Sequence, residues 1–379
     1  MPKMPAFDKQ VVHGPVSGTL LIGKLLSYSA QELAIYDDNA NPIRWSDVQT
    51  GAMRTSPEAE PDLSQATETL DGPVLFAGVV TDRFGHLHLN SLGRLWALEH
   101  LPKETKLLFT TRRPAKADSF PYLQPMLDVL GIKNEVVIRR SPVRMPELYT
   151  APDLYGARHE GLGSAGYFDW LDKHLPPSGP VDNDLKIYVT RARLGPEFGR
   201  VANEDHLEKL LKAQGYQIFA PEDHSLSEQF ATYQSAGELI FTESSSIHIF
   251  AMVRRPEQRI AVIQRRDPLP PLIRNQLVAR PGAEPLKINA IRKILWPPVR
   301  RKNTSVAVLD FNILKDELAK HGFVSSDAPW PAPDAEMERA SIEAGLGPGE
   351  SMMDDAEREQ FLKNFRVAKR KRLKRARSA

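Results

Sequence analysis

Between Pro73 and Ile263 the chain alternates short, continuous apolar runs with longer amphipathic segments, and few folds accommodate that rhythm. PVLFAGVV at Pro73–Val80, KLLFT at Lys106–Thr110 and EVVI at Glu135–Ile138 each read as a strand buried on both faces. The segments between them, Phe84–His100 and Tyr122–Leu130, carry helical spacing, and Gly131 stands where a helix ends. The order is β-α-β-α-β with short connections, which predicts a doubly wound parallel sheet.

The alternation stops over Ser141–Pro180, a stretch rich in Pro and Gly that reads as a connection with one helix near Ala165–His174. It then resumes. Leu185–Thr190, Tyr216–Ala220, Glu238–Thr242 and Arg259–Ile263 are the expected strands. Asn203–Gln214, Leu226–Ser235 and Ser244–Val253 are the expected helices, with Asn203 as one cap and a capping box from Ser225 to Glu228. Two β/α units predict a bilobal α/β protein whose ligand lies in a cleft facing the C-terminal strand ends. The predicted divisions are one lobe at 1–150, a connection at 151–180, a second lobe at 181–300 and an extension at 301–379. Residues 1–70 are expected to hold sheet and loop. Pro329–Gly349 reads as a flexible linker and Asp354–Arg377 as a helix.

Composition narrows the chemistry. The 379 residues include no cysteine, which excludes disulfides, Cys-type metal sites and a thiol nucleophile. No apolar run approaches the ~20 residues that span a bilayer, and the first residues lack the apolar stretch of a secretory signal, so a cytoplasmic protein is expected. Nine Lys and Arg residues lie in Lys363–Arg377, with no acid among them. Removing these nine from the formal net charge of +2 leaves the rest of the chain at −7, so no specific nucleic-acid partner is expected of the body. The basic stretch reads either as a helix peripheral to an anionic membrane surface at its inner face, or as a solvated tail.

The richest segment is Lys186–Val253. Arg191 closes a strand, Arg200 follows in a loop, and the strand ending at Thr242 feeds Glu243 and a helix that starts Ser244-Ser245-Ser246. Arginines at strand ends fork onto phosphate oxygens, and a serine-rich helix start offers N–H and O–H donors to an anion. The same residues equally fit surface ion pairs with Glu197, Glu204 or Glu222 and an ordinary helix cap. His248, one turn further, fits either a donor contact or core packing. On the Phe84–His100 helix, His86, Asn90 and Arg94 fall on one stripe, which predicts a polar face toward the cleft, with His88 on the opposite side. Asp182-Asn-Asp184 precedes a strand rather than following one, which suits a solvated turn better than a metal–diphosphate clamp.

Tyr188…Arg191…Arg200-Val-Ala-Asn203-Glu204…Leu207…Leu211…Gly215 with Leu226-Ser-Glu228-Gln229 resembles the nucleotide-sugar-binding half of glycosyltransferase family 61. Phe84-Gly-His86-Leu-His88-Leu-Asn90-Ser-Leu-Gly-Arg94-Leu-Trp96 is similar to that family's N-terminal segment. The resemblance covers roughly 74–255. It implies a GT-B-like fold of two Rossmann-like lobes, inversion at the sugar carbon and no obligatory metal or cofactor. The implied partners are a nucleotide-sugar donor, with uridine diphosphate as carrier, and a glycan or lipid-linked glycan acceptor of the bacterial surface or capsule. Arg191, Arg200, Asn203, Glu243, Ser244, Ser245, Ser246 and His248 then face the donor. Asn90 and Arg94 face the acceptor. His86, or Asp82 as the alternative, is the general base. Two positions depart from the family pattern. Glu243 stands in the turn after the strand, where a carboxylate repels a diphosphate unless it points elsewhere, and Asn90 replaces an acid. These leave a second class open, a non-catalytic nucleotide- or glycan-binding scaffold on the same fold.

Overall fold

A computed structural model describes residues 10–27, 30–50, 53–56, 60–81, 84–111, 120–155, 162–299 and 304–378. The N-terminal sheet is mixed. Strands β1 (His13–Ser27) and β2 (Ala30–Tyr36) pair antiparallel, and β3 (Gln49–Thr50) and β4 (Met53–Ser56) extend that edge. Across the sheet lie β5 (Glu68–Thr69), β6 (Pro73–Val80), β7 (Lys106–Thr111), β8 (Val136–Arg139) and β9 (Val143–Thr150). The order is β3-β4-β2-β1-β9-β6-β7-β8, with β5 beside β9, and β9, β6, β7 and β8 run parallel.

Three expected strands of this half are present within one residue of their expected bounds. The strand at Val143–Thr150 is a correction. It opens the stretch read as a connection, yet it sits mid-sheet and joins the antiparallel edge to the parallel centre. Val143 and Met145, then Leu148 and Thr150, are buried, so the alternation slips by one residue in mid-strand. Pro146 within that run masks the alternation in sequence.

The Phe84–His100 helix is also corrected. Helix α1 spans only Phe84–Asn90, and a 3₁₀ turn follows at Leu95–His100. Two side-chain demands break it. The Ser91 hydroxyl donates to the Val79 carbonyl at 2.7 Å, diverting the chain toward β6. Gly93 packs so tightly on Asp153 that a Cβ there would lie 1.9 Å from its carboxylate. Helix α2 (Leu123–Val129) ends as expected, with Gly131 at φ +70°.

After α3 (Ala165–His174), the second sheet is wholly parallel. Its elements in chain order are β10 (Asp182–Val189), the short β11 (Arg200–Val201) of another sheet, α4 (Glu204–Ala213), β12 (Gln217–Phe219), α5 (Leu226–Ser235), β13 (Ala236–Thr242), α6 (Ser246–Val253), β14 (Arg259–Ile263), α7 (Pro271–Leu277) and β15 (Leu286–Ile288). The spatial order is β12-β10-β13-β14-β15. Counted within this sheet that is 2-1-3-4-5, so the winding reverses between β10 and β13 and opens a crevice beyond their C-terminal ends.

One apolar core runs through both sheets. It joins Leu75, Leu107 and Phe109 to Phe241, Phe250 and Val262 by way of Trp170 and Tyr233. The C-terminal extension covers the other face of the parallel sheet. It contains β16 (Ile291–Leu295), β17 (Val306–Leu309), α8 (Phe311–Lys320), α9 (Ala335–Glu343) and α10 (Asp355–Ser378). Phe311, Leu314 and Trp330 pack there against Tyr188, Leu211 and Ile240. The linker expected at Pro329–Gly349 is therefore corrected. Asp334 caps α9 by accepting from the backbone N–H groups of Glu336 and Met337, and the helix is docked.

A candidate active site at the switch point of the parallel sheet

The crevice floor is a buried polar network. The Tyr188 hydroxyl at the end of β10 donates to Glu204 at 3.0 Å and lies 2.8 Å from the Thr242 hydroxyl on β13. Glu204 also accepts the Arg191 backbone N–H at 2.9 Å. Burial raises the Glu204 carboxyl above its usual range, against the hydrogen bonds that favour its anion. Glu204 thus ties the ends of β10 and α4 together.

Arg191 stands at this edge, and its guanidinium donates to the Gly199 carbonyl at 2.8 Å through Nη2. Two other residues expected at the donor are turned away from it. Arg200 donates to the carbonyls of Ser341, Ile342 and Ala344 at 2.7, 3.2 and 2.9 Å, capping the C-terminal end of α9. Asn203 does not cap α4 with its side chain. It adopts φ +59° and donates from its amide to the Met337 carbonyl, while its N–H donates to Ser341. Their donor assignment is corrected to a clamp on the C-terminal extension.

Glu243 is fully buried, and its carboxylate faces β14 rather than the crevice mouth. It accepts the backbone N–H groups of Arg265 at 3.1 Å and Arg266 at 3.0 Å, and the Arg266 Nε at 2.5 Å. The Arg266 Nη2 meets the same oxygen, Oε1, as its Nε, and the Arg265 Nη2 lies at 4.0 Å from it. The carboxylate is thus committed to the backbone of Arg265 and Arg266 and to the Arg266 side chain. Burial and the Arg191 guanidinium pull Arg265 down to about 10, so it keeps its charge at neutral pH.

The sequence reading missed Arg265 and Arg266. The criterion that selected Arg191, an arginine just past a strand of the parallel sheet, finds them when applied to Arg259–Ile263. Around the turn, Ser244 and Ser246 are buried and Ser245 is exposed. Helix α6 is buried along its whole length, and its N-terminal, positive end follows the C-terminal end of β13 at the crevice edge.

His248 is buried behind the serines. Its Nδ1 meets the Gln276 amide oxygen at 2.5 Å, and the Gln276 amide donates to the Tyr155 hydroxyl at 2.5 Å. With the amide so oriented, Nδ1 carries the imidazole proton. Burial pushes the Tyr155 phenol up to about 12. Nothing in the spacing of Tyr155, His248 and Gln276 announces this chain of contacts.

Helix α1 reaches the same place. A Cβ on Gly85 would lie 2.8 Å from the His248 ring and 3.2 Å from the Ser245 hydroxyl, so only glycine allows α1 to meet α6 this closely. The helix that carries His86 and the helix that opens with the serines thus touch at their starts. Asp82 and the side chains of His86 and Asn90 lie outside the described residues. Arg94 does not share their stripe, because α1 ends first. It is buried, donating to the carbonyls of Ala151 and Asp47 at 3.0 and 2.8 Å and pairing with Asp153 at 3.6 Å. Its acceptor-side assignment is corrected to a strut of the N-terminal half.

His88 is buried as expected of a structural residue, edge-on to Phe84. Glu228 forms the capping box, and the Gln229 amide donates to the Pro221 and His224 carbonyls, so neither faces the crevice. Asp182 and Asp184 are exposed at the start of β10, at the far end of the sheet from the crevice. No described helix is long and apolar enough to cross a membrane. Lys363 and Arg366 lie on α10, and the side chains from residue 368 onward are outside the described residues.

Residues 84–260 match the model of the Glycosyltransferase 61 family. The match supports a glycosyltransferase of that family. The matched span is a little under half the chain. It opens at the first residue of α1 and closes inside β14, so it holds both helix starts that meet at Gly85. No curated protein matches the chain.

Proposed function

We propose that this glycosyltransferase moves a sugar from a nucleotide sugar, with uridine diphosphate as carrier, to a hydroxyl of a bacterial surface or capsular glycan. The proposed reaction inverts the sugar carbon and needs no obligatory divalent metal. The observation that carries the reading is the cationic rim of the crevice, where Arg191, Arg265 and Arg266 gather beside the start of α6. Without a metal, protein cations and a helix dipole must take the charge of the leaving diphosphate.

His86 is the proposed general base, with Asp82 as the alternative. It takes the acceptor proton as the acceptor oxygen attacks and the bond to the diphosphate breaks. Support comes from the contact of Gly85 with Ser245 and His248, which brings the helix of His86 to the donor side. The commitment of Glu243 to Arg265 and Arg266 removes the main argument for a non-catalytic scaffold.

A thermal-shift panel of nucleoside diphosphates and nucleotide sugars, with and without Mg²⁺, tests this. A specific ligand at ~100 times its Kd stabilises the fold by about 2.7 kcal/mol. The expected result is a shift with uridine diphosphate that Mg²⁺ does not change. His86→Ala should keep that shift and lose release of free nucleotide from the donor. Retained turnover in His86→Ala removes His86 from the mechanism, and a flat panel removes the nucleotide-sugar reading.

A further inference from the structure

We infer that Arg265 is the cation that meets the leaving diphosphate, and that Glu243 is a positioning residue that holds it there. The inference rests on the crevice being the donor site. Arg265 lies two residues beyond β14, at the same edge as Arg191 and the serine turn. It is 5% exposed, yet among the described residues its Nε and Nη1 have no hydrogen-bond partner. Its Nη2 stands 4.0 Å from Glu243, beyond hydrogen-bond reach.

A buried guanidinium with unmet donors is costly, and folded chains keep such groups where a ligand completes them. Glu243 cannot complete it, because its oxygens already serve two backbone N–H groups and the fork of Arg266. Arg191 spends its bonds on the neutral Gly199 carbonyl and brings no counter-charge. Arg191, Arg265 and Arg266 sit with the carboxyl groups of Glu243, Glu222 and Glu204, and burial biases the last toward its neutral form. The unspent Nε and Nη1 of Arg265 are donors, and planar guanidinium forks match the oxygens of a diphosphate.

In the transfer step the bond from the sugar carbon to the β-phosphate oxygen breaks and its electron pair stays on that oxygen. The acceptor oxygen bonds to the carbon and its proton passes to the base. Arg265 donates hydrogen bonds to the oxygens that gain charge and keeps its own proton throughout.

Calorimetric titration of the full chain with inorganic pyrophosphate tests this directly. Arg265→Met should raise the Kd about 10- to 100-fold, the worth of a charge-assisted bond, and Arg265→Lys should recover part of the loss. Unliganded Arg265→Met should melt no lower than wild type, because it removes buried donors that have no partner; if it does not fold, Arg265→Lys still reports. Equal pyrophosphate affinity in wild type and Arg265→Met overturns the inference, as does a wild type that does not bind pyrophosphate. Donor turnover separates the two readings. Wild-type turnover kept by Arg265→Met sinks the role of Arg265 and leaves glycosyl transfer standing. Pyrophosphate binding that depends on Arg265, with no turnover of any nucleotide sugar, sinks the transfer reading and leaves the anion site.

Discussion

Arg200 and Arg265 follow the same sequence logic and end in opposite conditions. Both follow a strand of the parallel sheet in sequence, Arg200 opening the short β11 after β10 and Arg265 lying just past β14. Arg200 spends its fork on three carbonyls at the end of α9, so nothing remains for a ligand. Arg265 is more deeply buried and leaves Nε and Nη1 unmet. An arginine at a strand end therefore announces a binding site only when its donors are unspent. Arg94 belongs with Arg200. It was expected on a polar stripe facing the cleft, and it instead donates to two carbonyls and pairs with Asp153 inside the N-terminal half.

The comparison breaks most sharply at Arg94. Arg94→Leu should cost about 3–5 kcal/mol in chemical denaturation, because it leaves Asp153 buried without its charge partner. A variant that stays as stable as wild type but loses kcat/KM for the acceptor would return Arg94 to the acceptor site. At Arg200 the effect is smaller. Arg200→Ala should cost about 2–3 kcal/mol through loss of the charged cap on α9. It should also raise hydrogen exchange in Ala335–Glu343 with little change in the Kd for uridine diphosphate. A large rise in that Kd at unchanged stability would put Arg200 back at the donor.

Much of the fold is legible in the sequence, and the reasons are local. Pro73–Val80 and Arg259–Ile263 are continuous apolar runs bounded by turns, and Leu226–Ser235 is a helix with a capping box and one buried face, so the local sequence marks them. Phe84–His100 is misread because its break depends on tertiary contacts. Ser91 reaches Val79, and Gly93 makes room for Asp153, 60 positions away in sequence. The docked α9 escapes notice because what holds it is Arg200 and Asn203, more than 130 positions earlier. The site shows the same division. Arg191 and the serine turn are read from spacing. The direction of the Glu243 carboxylate, toward the Arg265–Arg266 turn and not the crevice mouth, exists only once β13 and β14 lie side by side.

The smallest effect separates two kinds of unmet buried group. His88 is fully buried and, like Arg265, has ring nitrogens without partners among the described residues. The two differ in what they can give up. Arg265 stays charged and must be completed from outside, whereas a histidine sheds its proton and waits for nothing. Burial, reinforced by the nearby His248, lowers His88 from 6.5 to about 3. Its folded form then binds fewer protons than its unfolded form, so its contribution is fully present above about pH 6.5 and is lost as pH falls toward about 3. From pH 7 to pH 5 the loss from this one group is about 2 kcal/mol. His88→Leu should match or exceed wild-type stability at pH 7 and fall less steeply from pH 7 to pH 5, with donor binding at pH 7 unchanged. Parallel stability curves for the two proteins would mean that His88 protonates in the folded state. It would then be a group with a partner to find, on the same side of the comparison as Arg265.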